Sequence, residues 1–60
     1  MQNGASPYAT VQRWRRALRD AQRAHAVDPT WQTLQRVRHC ETQLRLAETK
    51  ARAATRAAEI

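Results

Sequence analysis

An all-α helical hairpin is the fold class this sequence predicts, and three observations lead to it. The chain has 60 residues with one glycine and two prolines, so it has few places to turn. Both prolines follow a capping residue, as Ser6-Pro7 and Asp28-Pro29. Apolar residues recur at steps of three and four in the stretches after each proline, which is the period of a helix face.

The first element is expected to run from about Pro7 to Ala26. Serine before proline suits an N-cap and first helical position, because proline lacks the N–H that would go unpaired there. Val11, Trp14, Leu18, Ala21 and His25 then fall on one seam, with Tyr8 extending it backwards. Residues 1–5 read as a disordered tail. The second element is expected to run from Pro29 to about residue 58 after a tight turn at Val27-Asp28. Its stripe is Leu34, Val37, Cys40, Leu44, Ala47, Ala51, Ala54 and Ala58, large at first and alanine-only after Leu44. Neither start has Glu or Gln three residues after its cap, so no capping box is expected.

A turn that short makes the helices antiparallel. If the chain reverses at 27–28, facing positions sum to about 55: Leu18 meets Val37, Trp14 meets Cys40 or Glu41, Val11 meets Leu44, and Tyr8 reaches Ala47. Beyond Ala47 the second helix would have no partner in its own chain. Leu44, Ala47, Ala51, Ala54 and Ala58, with Trp31 at the turn end, are therefore the candidate self-association surface. A homodimer with a four-helix core is the expected assembly. In length and layout the chain resembles the small plasmid-encoded RNA-binding hairpins of the Rop type, which dimerise into four-helix bundles; no motif residues match, and no site is carried over from them.

Composition narrows the function classes. Eleven basic and five acidic residues give a net charge of +6, which favours acidic partners such as nucleic acid or an acidic protein face. In the segment VQRWRRALRDAQR, helical phase separates the seam from a far side carrying Arg13, Arg16, Arg19 and Arg23. Only Asp20 interrupts that side, within reach of Arg16 and Arg23 at most. These four arginines are the candidate contacts to a DNA or RNA backbone. The second helix intersperses its charges instead: Glu41 with Arg45 and Glu48 with Arg52 have the favoured acid-first spacing of a structural ion-pair ladder.

Other residues suggest chemistry but read as structural. His25 lies far along the hairpin from His39 and Cys40, and adjacent helical residues point about 100° apart, so no metal site and no cofactor is expected. Cys40 reads as a small seam filler, and Trp14, although flanked by arginines, lies on the seam. There is no phosphate-binding glycine loop, paired-carboxylate pocket or acyl-transfer constellation, so the protein is not expected to be an enzyme. A single cysteine and the lack of any apolar run beyond two residues favour a cytoplasmic protein. Two further readings are a protein-interaction module of the phage or plasmid adaptor type, docking its alanine seam on a larger partner, and, less favoured, a membrane-surface helix using Tyr8, Val11, Trp14 and Leu18.

Overall fold

The computed structural model describes residues 6–58, so the expected tail at 1–5 lies outside the described residues. Two helices, α1 (Pro7–Val27) and α2 (Trp31–Ala58), pack against each other as an antiparallel hairpin, α2 being the longer. Ser6 is extended, and its hydroxyl accepts from the Ala9 N–H at 3.1 Å. Pro7 occupies the first turn, where its missing N–H costs nothing.

The reversal differs from expectation in one respect that affects every later pairing. Asp28 does not cap α2; it closes α1, its N–H donating to the Ala24 carbonyl at 2.9 Å. Pro29 disfavours helical geometry at the residue before it, and Asp28 takes φ −137° and ψ 83°. No described residue has positive φ, so the turn needs no glycine. The cap of α2 is Thr30, whose hydroxyl accepts from the Thr33 N–H at 3.1 Å, while the Thr33 hydroxyl accepts from the Thr30 N–H at 3.0 Å. This is a capping box built from two threonines, with Thr33 doing the work usually given to Glu or Gln.

Several contacts across the hairpin lie further along α2 than the expected sum of 55 gives. His25, for which a sum of 55 gives Thr30, meets Thr33 instead, its Nδ1 lying 2.8 Å from the hydroxyl. Tyr8 and Val11 line one depression with Ala51 and Arg52, beyond the Ala47 and Leu44 they were expected to reach. Trp14 departs the other way, packing edge-on against His39 rather than Cys40 or Glu41, with ring centroids 5.8 Å apart.

The core between the helices is thin: Val11, Ala21, Cys40 and Ala47 are its buried members. Alanine and cysteine at the contact let the backbones approach, and the larger Trp14, Leu18, Leu34, Val37 and Leu44 flank it half-buried.

Candidate nucleic-acid interface

The arginines of α1 divide into two groups by helical phase. Arg15 lies on the flank next to α2 and reaches Glu48, Nη2 to Oε2 at 3.6 Å, both side chains partly solvated. This is the one ion pair among the described residues. It replaces the expected contacts within α2: Glu48 turns to the first helix instead of Arg52, and Glu41 makes no ion pair with Arg45. Glu48 borders the interhelix seam on the same side of the hairpin as Arg15, which brings the two within reach.

Arg13, Arg16, Arg19 and Arg23 are all exposed and form no ion pair. Arg16, Arg19 and Arg23 point almost directly away from α2, and Arg13 lies at the margin of that face. Asp20, expected to reach Arg16 or Arg23, instead lines a depression with Ala17, Ala21, Arg36 and Cys40 on the side towards α2. The outer face of α1 thus presents four guanidinium groups over about 15 Å of helix without a carboxylate bound to any of them. Gln12, also exposed, lies among them.

Stiffness comes from both ends of α1. The Ser6 cap holds the start, and a polar knot holds the finish. Thr33 Oγ1 donates towards the Asp28 carbonyl at 2.8 Å and the Thr30 carbonyl at 3.0 Å, so its single proton is committed. The same hydroxyl oxygen lies 2.8 Å from His25 Nδ1, which ties the turn to α1. The Thr30–Thr33 pair gives no apolar or charge signal in sequence; its only trace is two threonines three residues apart after a proline.

The residues expected to form a self-association surface do not stay together. Ala47 is covered by α1, with 5% of its surface exposed, and Cys40 is likewise buried in the hairpin. Leu44 and Ala51 are half-buried, Ala54 is exposed, and the side chain of Ala58 lies outside the description. The stretch of α2 without an intrachain partner thus begins later than expected, after Arg52 rather than after Ala47. Trp31 is 70% exposed beside the turn, next to Val27 at 81%.

His39 is exposed whereas Cys40 faces the core, so the neighbours diverge as their helical phase requires. Among the described residues no three His, Cys, Asp or Glu side chains gather where they could hold a metal ion. No described helix is long and apolar enough to cross a membrane. No family model, curated protein or solved structure matches the chain.

Proposed function

We propose that this protein is a small non-enzymatic regulatory factor that binds nucleic-acid backbone through the outer face of α1, on a self-associated helical scaffold. The observation that carries the reading is the arrangement of Arg13, Arg16, Arg19 and Arg23: four exposed arginines on one capped helix, none of them ion-paired with Asp20 or any other described acid. Guanidinium groups match phosphate oxygens in planar, two-pronged hydrogen bonds. A straight helix face of this kind grips phosphates without reading base edges, and Trp14, the aromatic nearest those arginines in sequence, is engaged with His39. Binding is therefore backbone-directed and tolerant of sequence.

The test is a salt series. If four phosphates are neutralised on a duplex, log K falls against log salt with a slope of about −3.6, close to a 150-fold loss between roughly 50 and 200 mM salt. Replacing all four arginines by Gln removes that dependence while helix content is kept. Lack of binding to duplex DNA, structured RNA and single strands at low salt refutes the proposal.

A second reading is favoured by a different observation. Val27 and Trp31, on either side of the turn, are both exposed, and tryptophan at such a position is a frequent anchor of protein interfaces. In that case the chain is an adaptor or inhibitor whose tip and exposed Ala54 region dock on a larger partner, and Trp31→Ala abolishes activity where the arginine variants do not.

A further inference from the structure

The side of α2 away from α1 carries a row of its own. Seven residues make almost two full helical turns, so Trp31, Arg38, Arg45 and Arg52 follow one another along α2 with a drift of only about 20° per step. All four are exposed, Trp31 at 70%, whereas Cys40 and Ala47 on the seam side of the same helix are buried against α1. The drift carries the row towards one flank of the hairpin, so that Arg52 lines one depression with Tyr8 and Arg15 and another with Arg56.

Acids do not neutralise this row. Sequence spacing offers Glu41 to Arg45 and Glu48 to Arg52, but Glu48 is taken by Arg15 at 3.6 Å, and Glu41, exposed at the margin of the row, makes no ion pair among the described residues. Thr42 and Thr49, beside the arginines on the outer side, turn their hydroxyls back onto the Arg38 and Arg45 carbonyls at 3.1 and 3.0 Å. Three guanidinium groups are thus left without a carboxylate, in line with an exposed indole at the turn end.

We propose that this row is a second nucleic-acid site and that its ligand is a single strand, Trp31 stacking on an unpaired base while Arg38, Arg45 and Arg52 hold phosphates further along. Two observations select a single strand. An exposed indole offers its face to a base, and a base inside a duplex has both faces covered by its neighbours. The row is also straight and long: from Trp31 to Arg52 it spans about 31 Å by helical rise. A strand of B-form duplex winds almost once around its axis in that distance, since a turn takes about 34–36 Å, and so leaves a straight row. A flexible single strand lies along it. Stacking on an aromatic combined with a basic track binds single strands with little regard to base identity. The site goes beyond the α1 reading, faces the other way from Arg16 and Arg23, and stands or falls separately from it.

The test uses the full chain with Arg13, Arg16, Arg19 and Arg23 changed to Gln, which removes the α1 face, and anisotropy of labelled oligothymidylate and oligouridylate. Single-strand binding persists in this variant, with log K falling against log salt at a slope of about −2.1 for three phosphates. Binding of either oligonucleotide supports the site, and the tighter one names the sugar. Adding Trp31→Ala lowers the affinity about 5- to 150-fold, the worth of one stacked base, and Trp31→Phe restores most of it. These positions are exposed, so helix content by circular dichroism stays unchanged. Loss of all single-strand binding in the four-Gln variant, where the unaltered chain binds, confines nucleic acid to α1 and overturns the proposal. Unchanged affinity on Trp31→Ala also overturns it and leaves the indole to a protein partner. Failure of the α1 reading shows instead as duplex binding that is indifferent to the four Gln changes.

Discussion

Replacing Thr33 with valine tests whether the polar knot at the turn sets the register. Valine keeps the shape and the β-branch, so packing and χ1 restriction change little. The hydroxyl's contacts disappear: acceptance from the Thr30 N–H at 3.0 Å, donation towards the Asp28 carbonyl at 2.8 Å, and the 2.8 Å contact with His25 Nδ1. Thr30 keeps its own capping bond to the Thr33 N–H, so half of the box survives. Because the groups are part-buried or exposed, water recovers some of the loss, and each bond is worth about 0.5–1 kcal/mol net. The expected total is about 2 kcal/mol. For a chain of this size that is a fall of about 8–16 °C in Tm, followed by circular dichroism at one fixed protein concentration. Thr49→Val is the control, since that hydroxyl is exposed and bonds only to the Arg45 carbonyl at 3.0 Å one turn back. Equal Tm shifts in the two variants would refute the reasoning, because the turn would then be held by helix packing alone.

Further outcomes follow from the same geometry. Single Arg→Gln changes at Arg13, Arg16, Arg19 or Arg23 should each lower the salt slope of nucleic-acid binding by about 0.9, as measured by anisotropy across a salt series. Ala47→Gln forces a large side chain into the helix contact and should destabilise by about 1–3 kcal/mol in urea unfolding, whereas Ala54→Gln should stay within about 0.5 kcal/mol. A double-mutant cycle on Arg15 and Glu48, each changed to Gln, should give a coupling of about 0.2–1 kcal/mol that fades at high salt, because both groups are partly solvated.

Much of the fold was legible because helical phase is a local property. Prolines after Ser6 and Asp28, and the spacing of Val11, Leu18, Cys40 and Leu44, suffice to predict two antiparallel helices. The separation of Arg13, Arg16, Arg19 and Arg23 from the seam follows from the same 100° step. The destination of the acids was not legible. Glu48 has Arg45 three residues before it and Arg52 four after it, and only the neighbouring helix makes Arg15 the partner found. Asp20 likewise turns away from Arg16 and Arg23 towards the side of Arg36. Where several exposed partners compete at a few tenths of a kcal/mol each, interhelix geometry decides the contest.

The amino-acid sequence alone determined the helices, their order and the faces they carry, since backbone preference, proline geometry and helical period act within a few residues. Tertiary structure decided the register. Asp28 was the expected cap of α2, and Thr30 takes that place through bonds with Thr33, which also reaches the Asp28 carbonyl and His25 across the hairpin. In the folded hairpin His25 meets Thr33, Tyr8 and Val11 reach Ala51, Ala47 is covered, Arg15 meets Glu48 and the large aliphatic side chains lie half-exposed. No local pattern encodes such a shift, because a change of register preserves every residue's helical phase while changing its neighbour.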